Sequence, residues 1–133
     1  YNNGHMKRDF TYVEDLVEAI RLLLDAVPDG PGQGRVHEGD SLSPVAPHRV
    51  VNIGNNNTVQ LLDFIEAIED ALGVKAKRNL MPMQAGDVPA TWADATLLKS
   101  LTGYQPNTEV GEGVRNFVDW YRNYYRQNKA GKN

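Results

Sequence analysis

The sequence predicts an α/β fold, because amphipathic helical patterns alternate along it with short β-branched segments. Apolar residues recur at spacings of three and four in three stretches, which is typical of helices that bury one face. Between two of these stretches lies "RVVNI" (49–53), a continuous apolar run that favours a buried strand over an exposed, alternating one. With 133 residues, the chain has the length of a single domain.

The composition excludes several classes of function. A net charge of −3 and the lack of any Lys/Arg-rich run argue against nucleic acid or an anionic membrane as a partner. No apolar run approaches the ~18 residues of a membrane span. The chain contains no cysteine, which excludes disulfides and thiolate metal sites and suits the cytoplasm, the location we expect. Because the sequence begins with Tyr1 rather than Met, we expect a processed or excised piece.

The first helix is predicted after an extended segment at 6–13. Thr11 and Glu14 have the spacing of a capping box, in which each side chain bonds the backbone N–H near the other. We expect this helix to end near Ala26, before Pro28. Its apolar positions are Val13, Leu16, Val17, Ile20, Leu23, Leu24 and Val27.

A proline- and glycine-rich stretch, 28–48, follows the first helix and shows almost no apolar periodicity. We predict a long and mobile loop there. The strand at 49–53 comes next, and "NNN" (55–57) has the composition of a turn.

Three more helices are predicted in the second half. The first runs from Leu61 to Leu72 and ends at Gly73, and a weak strand candidate follows at 74–83. Asp94 has the position of an N-cap for a short helix that ends at Gly103. The last helix is predicted to start at Thr108 and to fray into a polar tail at 127–133.

Two short motifs resemble catalytic or cofactor signatures without their context. "GPGQGR" (30–35) has the glycines of a dinucleotide-binding turn except the last, where Arg35 stands, and neither a strand precedes it nor a helix follows. Tyr125 and Lys129 have the Tyr-x-x-x-Lys spacing of a proton-transfer pair, but they lie in the polar tail. His5, His37 and His48 show no metal-ligand spacing. We therefore assign no catalytic, cofactor-binding or metal-binding residue.

Two other side chains remain ambiguous when only their chemistry is considered. Arg8 offers the planar fork that binds phosphate, yet it could equally belong to a surface charge cluster in which Asp9 neutralises it. Asp87 lies between Gly86 and Pro89, where a fixed carboxylate can accept two hydroxyls, but it can also cap a turn. The residues alone favour the structural role in both cases.

Four segments, taken in order, resemble the C-terminal part of nucleotide-sugar epimerases. They are "GHMKRDFTYVEDLVEAI", "HRVVNIGNNNTVQLLDFIEAIEDALG", "MPMQAGDVPATWAD" and "GVRNFVDWY", and together they span roughly 1–126. The resemblance is to the extended short-chain dehydrogenases, in particular UDP-glucuronate 4-epimerases. It implies the C-terminal part of an extended Rossmann-type fold, composed of helices with short strands.

The resemblance also implies a chemistry. In the family a bound NAD takes hydride from C4 of a UDP-sugar and returns it to the opposite face, while a Tyr-x-x-x-Lys pair handles the proton. Both the glycine-rich NAD turn and this pair precede the matched region in the family. We therefore expect this chain to contribute UDP contacts, to bind no NAD by itself and to be inactive alone.

Residue by residue, the resemblance implies four substrate contacts. Arg8 would contact the UDP diphosphate, and Asp87 would hold the ribose hydroxyls. Gln84 stands where galactose epimerases have a second phosphate-binding arginine, so it can offer only a neutral hydrogen bond. Thr91 would border the sugar pocket and leave room for a substituent at C5, such as a carboxylate.

The family also suggests a division of the chain. Residues 1–57 would join the nucleotide-binding sheet, 58–126 would form the substrate-binding part and 127–133 the tail. The strand at 49–53 would then lack its parallel neighbours, so we expect the chain either to associate, as a homo-oligomer or through unpaired strand edges, or to rearrange.

Two alternatives to the epimerase function remain open. The chain could be a stand-alone binding or interaction module derived from such an enzyme. It could also be the same portion of a sister UDP- or dTDP-sugar dehydratase or decarboxylase.

Overall fold

The structure is a computed structural model that describes residues 1–130, with side chains through residue 125. After a 3-10 turn at Asn2–Gly4, the elements are β1 (Lys7–Asp9), α1 (Val13–Leu23), β2 (Thr58–Gln60), α2 (Leu61–Leu72), β3 (Ala90–Thr91), α3 (Thr96–Thr102) and α4 (Val110–Ala130). The three strands form one sheet in the order β2-β1-β3. The predicted α/β class is confirmed.

The chain divides into two compact units. The first contains Tyr1–Arg8, Val59–Ala90 and the segment from Glu109 onward, and the second contains Asp9–Thr58 and Thr91–Thr108. The predicted assignment of 1–57 and 58–126 to two parts of a larger enzyme stays a prediction.

In the first unit, helix α2 packs against α4. Val114 and Val118 of α4 are buried, with 7% and 4% of their surface exposed. Helix α2 ends as predicted at Gly73, whose φ of 72° is the left-handed conformation that glycine adopts without strain. β1 is held by its backbone, since Lys7 N donates to Pro89 O over 2.8 Å.

The strand predicted at 74–83 is wrong, because the segment follows α2 without regular structure. Its backbone groups bond elsewhere: Ala76 N donates to the Glu69 carboxylate, and Met81 O accepts from Asn3 N. Glu69 is buried, yet its carboxylate also accepts from Lys75 and Arg78. One buried carboxylate of α2 therefore organises the segment in place of a strand ladder.

In the second unit, α1 and α3 pack together around Ala19, Ala95 and Leu98, all buried. The strand predicted at 49–53 is wrong. Val51 and Ile53 pack on this cluster while Val50 is 64% exposed, so the run alternates instead of being buried throughout. A strand needs the backbone of a neighbour, and no described residue is paired with this run as a strand. The expected association, as a homo-oligomer or through unpaired strand edges, stays a prediction.

The capping box at Thr11 and Glu14 is also wrong. Helix α1 has Tyr12 as its N-cap, and no side chain bonds the cap. The regular helix ends at Leu23, three residues before the expected Ala26. The N–H groups of residues 24–26 instead donate to carbonyls three positions earlier, so the last turn is tightened to 3-10 geometry.

Two further helix starts are displaced. The N-cap of α3 is Ala95 rather than Asp94, although Asp94 Oδ1 still accepts from Thr96 N over 2.9 Å. Helix α4 starts at Val110 and not at Thr108. The predicted end of α3 at Gly103, with a φ of 72°, is confirmed.

The segment 28–48 contains no helix and no strand of the sheet, which confirms the predicted loop. The predicted mobility of this loop stays a prediction. Asp40 anchors it, because the buried carboxylate accepts from Arg49 Nε over 3.1 Å and from Leu42 N over 2.9 Å. Of the predicted tail, 127–130 continue α4 without described side chains, and 131–133 lie outside the described residues.

Candidate functional site

Arg8 and Asp87, two of the four residues singled out in the sequence, lie together in the first unit. Arg8 Nη2 is 3.1 Å from Asp87 Oδ1, although 79 positions separate the two residues. β1 carries Arg8, and a turn presents Asp87: Asp87 N donates to Gln84 O over 3.2 Å. Gly86 permits this turn through a φ of 83°.

Both charged groups keep capacity for a ligand. Their side chains are 28% and 32% exposed, so each is partly desolvated and still accessible. The Arg8 guanidinium uses one nitrogen on Lys7 O (2.8 Å) and another on Asp87, which leaves N–H donors of its five free for phosphate oxygens. Asp87 Oδ1 also accepts from Val88 N over 2.8 Å. Both of these bonds end on Oδ1, so Oδ2 can accept hydroxyls.

Gln84 lies at the start of the same turn, with its side chain exposed. Its described contact is made by the backbone carbonyl that closes the turn on Asp87. The Gln84 side chain is neutral, so it adds no charge to the site. The positive charge next to this turn is that of Arg8, which contacts Asp87.

Thr91 belongs to the second unit. It is exposed at the end of β3 and lines a small open cavity of about 180 Å³ together with Asp9, Thr11, Gly54 and Ala93, among others. The predicted border of a sugar pocket at Thr91 stays a prediction.

Sequence reasoning missed the role of Asp9. Its carboxylate accepts three backbone N–H groups, from Asn55 (3.1 Å), Asn56 (3.0 Å) and Ala93 (3.3 Å). Asp9 therefore fixes two loops and does not serve as the partner of Arg8. One signal was present in the sequence. Arg8 and Asp9 are neighbours in an extended segment, and successive side chains of a strand point to opposite faces, so the two side chains are not expected to pair.

Of the two short motifs, the structure describes the side chains of the glycine-rich one at 30–35, and it does not form a dinucleotide-binding turn. At 30–35 the backbone makes a tight turn, with Gln33 N donating to Gly30 O, and no described helix starts there to receive a pyrophosphate. These residues therefore do not fit NAD. Tyr125 is 48% exposed, and the side chain of Lys129 lies outside the described residues.

The described part of the chain contains neither a cluster of metal ligands nor a membrane-spanning helix. No group of three or more His, Asp or Glu side chains there has the arrangement of a metal site. None of the helices described is both long enough and apolar enough to cross a membrane.

Comparison with known proteins agrees with the architecture. The family model described as GDP-mannose 4,6 dehydratase matches residues 1–117. A probable UDP-glucuronate 4-epimerase of Rhizobium meliloti (strain 1021) is 46% identical over 128 residues, which are 96% of this chain and 38% of that protein.

Solved structures show the same fold. MoeE5, in complex with UDP-glucuronic acid and NAD, is 27% identical, with a TM-score of 0.68 over 93% of this chain and 36% of its own. A variant UDP-glucuronic acid 4-epimerase from Bacillus cereus, in complex with a fluorinated UDP-sugar and NAD, is 24% identical, with a TM-score of 0.69 over 94% of this chain and 35% of its own.

The chain thus spans less than two fifths of the length of these relatives. Its helices and small sheet match the C-terminal portion of Rossmann-type epimerases, which confirms the fold implied by the sequence resemblance. The chain belongs to the family described as GDP-mannose 4,6 dehydratase, and it is similar in sequence to curated proteins named UDP-glucuronate 4-epimerase.

Proposed function

We propose that this chain is the C-terminal, substrate-binding portion of an NAD-dependent UDP-sugar 4-epimerase, with UDP-glucuronate as the preferred sugar nucleotide. One observation carries the proposal. The fold brings the Arg8 guanidinium, a group well suited to phosphate, within 3.1 Å of the Asp87 carboxylate, and both remain partly accessible. In UDP, the diphosphate is attached directly to the ribose, so a site for both groups needs a cation and an acceptor side by side.

Each side chain supplies a different contact. The Arg8 fork donates two parallel hydrogen bonds to diphosphate oxygens. Asp87 accepts from the vicinal ribose hydroxyls through Oδ2, while its Oδ1 is engaged by Arg8 and Val88. Gln84 adds a neutral hydrogen bond from the start of the turn, and Thr91 borders the sugar.

We assign the transfer of hydride and of the proton to no residue of this chain. Residues 30–35 do not fit NAD, and Tyr125 lies on an exposed surface where water weakens any effect of a nearby cation. We therefore assign this chain the binding of the nucleotide and no catalytic residue. NAD chemistry would come from the part of the full-length enzyme that precedes the matched region.

Titration calorimetry with UDP and UDP-glucuronate tests the proposal. We expect binding by the unaltered protein and a loss of at least about tenfold in affinity for Arg8→Ala and for Asp87→Ala, because each variant removes one or more charge-assisted hydrogen bonds. Arg21→Ala is the matched control, because Arg21 forms an exposed ion pair with Glu18 on α1. No binding by the unaltered protein, or equal affinity in all four proteins, would sink the proposal.

A second candidate follows from the family model, whose description is a GDP-sugar dehydratase. In that case the Arg8 guanidinium would contact the diphosphate of GDP instead of that of UDP. Competition by GDP and dTDP against bound UDP separates the candidates. UDP-selective binding supports the epimerase, and GDP-selective binding supports the dehydratase.

A further inference from the structure

We propose that Arg8 and Asp87 bind the nucleotide as one coupled unit, in which each residue also positions the other. The inference deepens the proposed function and rests on it. It assigns Asp87 a second role: besides accepting ribose hydroxyls, Asp87 orients the guanidinium that receives the diphosphate.

The anchoring of Arg8 supports this role. Its guanidinium is fixed at two points on different nitrogens, Nη1 on Lys7 O and Nη2 on Asp87 Oδ1. A long side chain that is already held in its binding conformation loses less rotamer freedom when the ligand arrives. Without Asp87, one backbone carbonyl alone would hold the fork.

The anchoring of Asp87 is reciprocal. Arg8 Nη2 and Val88 N both donate to Oδ1, which fixes the carboxylate plane and directs Oδ2 away from both donors. Without Arg8, the carboxylate would be held at one bond and could rotate. Each residue is therefore expected to lose part of its own ligand contact when the other is removed.

Independent contacts would behave differently. If Asp87 only bound ribose, its removal would leave the contact between Arg8 and the diphosphate unchanged. The losses caused by the two substitutions would then multiply. In a coupled unit, the second substitution adds little, because the first has already released its partner.

A double-mutant cycle with UDP as the probe tests the coupling. Affinities are measured by calorimetry for the unaltered protein, Arg8→Ala, Asp87→Ala and the double variant. We expect each single variant to bind about tenfold more weakly and the double variant about as weakly as the weaker single. Independent contacts would instead give a loss of about a hundredfold in the double variant.

A conservative variant separates positioning from folding. Asp87→Asn keeps an oxygen that can accept from Arg8 and Val88, so we expect it to bind UDP more tightly than Asp87→Ala. Melting curves of all variants report whether the fold is intact. Glu18→Ala and Arg21→Ala, which break the exposed pair on α1, are the matched controls and should leave UDP affinity unchanged.

The outcomes distinguish the two levels of the argument. If the unaltered protein does not bind UDP, or both single variants bind normally, the proposed function fails and the coupling with it. If both single variants weaken binding and their effects multiply in the double variant, the coupling is wrong and the proposed function stands. Equal losses for Asp87→Asn and Asp87→Ala would contradict the positioning role.

Discussion

The Tyr104 hydroxyl donates a hydrogen bond of 2.9 Å to Asp15 Oδ1, although 89 positions separate the two residues. The other oxygen of Asp15 accepts from Asn107 N over 3.2 Å and from Thr108 N over 2.9 Å. One side chain of α1 therefore fixes the segment between α3 and α4. Burial raises the pKa of Asp15, but these hydrogen bonds outweigh it and hold the pKa below the ordinary 3.8.

We expect Tyr104→Phe to destabilise the protein by about 1 kcal/mol, because the variant leaves one carboxylate oxygen without its donor. Urea denaturation at pH 7 measures the change. Burial and the neighbouring Asp15 raise the pKa of Tyr104 from 10.0 to about 12. The folded state therefore retains the proton longer than the unfolded state, and the unaltered protein should lose stability as the pH rises from 10 to 12. An equal loss in the Phe variant would contradict this assignment.

The lowered pKa of Glu69 makes the free energy of unfolding depend on pH in the acidic range. Hydrogen bonds from Lys75 and Ala76 N, opposed by burial and reinforced by Arg78, lower the pKa of Glu69 from 4.5 to about 2. Because the folded-state pKa is the lower one, the stabilisation is complete above pH 4.5 and is lost as the pH falls toward 2. We expect Glu69→Gln to be less stable at pH 7 and to lose less stability over that interval.

Chemical denaturation at a series of pH values between 2 and 7 checks this. Glu66→Gln is the matched control, because Glu66 is an exposed carboxylate on the same helix. If the Glu66 and Glu69 variants have the same acid profile, the buried carboxylate does not control the acid response.

Arg49→Ala should destabilise the second unit far more than Arg21→Ala. Arg49 and Asp40 have only 7% and 0% of their side chains exposed, so removing the cation leaves a buried carboxylate without its charged partner. Arg21 and Glu18 are 58% and 41% exposed, and water screens such a pair. Thermal melting of the two variants at equal pH gives the comparison, and equal melting temperatures would refute it.

The range of each interaction explains which parts of the fold could be predicted. The ends of α2 and α3 at Gly73 and Gly103 follow from local chemistry, since both glycines adopt a left-handed φ of 72°. The run 49–53 has a strand-like composition, but a strand forms only where another segment offers its backbone. Likewise, the Glu69 carboxylate on α2 accepts from Ala76 N, a contact that the composition of 74–83 cannot reveal.

The candidate site shows the same limit. The sequence identified Arg8 and Asp87 as separate candidates, and the family resemblance gave each a role. Their ion pair joins positions 79 residues apart, so no local pattern predicts it. The bonds of Asp9 reach residues 46, 47 and 84 positions away, and for the same reason its role emerged only from the structure.

Close packing at Gly54 gives a prediction with a matched control. A Cβ at this position would lie 2.7 Å from Ala93 Cβ and 2.8 Å from Asp9 Oδ2, so Gly54→Ala must displace the loop that Asp9 holds. We expect a loss of about 1–3 kcal/mol in the free energy of unfolding, typical of overpacking. Gly111→Ala makes the same change in α4, where, among the described residues, the new Cβ meets the flexible end of Arg115 at 3.4 Å and nothing nearer. It should stabilise the helix by up to about 1 kcal/mol. Urea denaturation of both variants measures the two effects, and a shift of the same sign would mean that the contacts around Gly54 are not the cause.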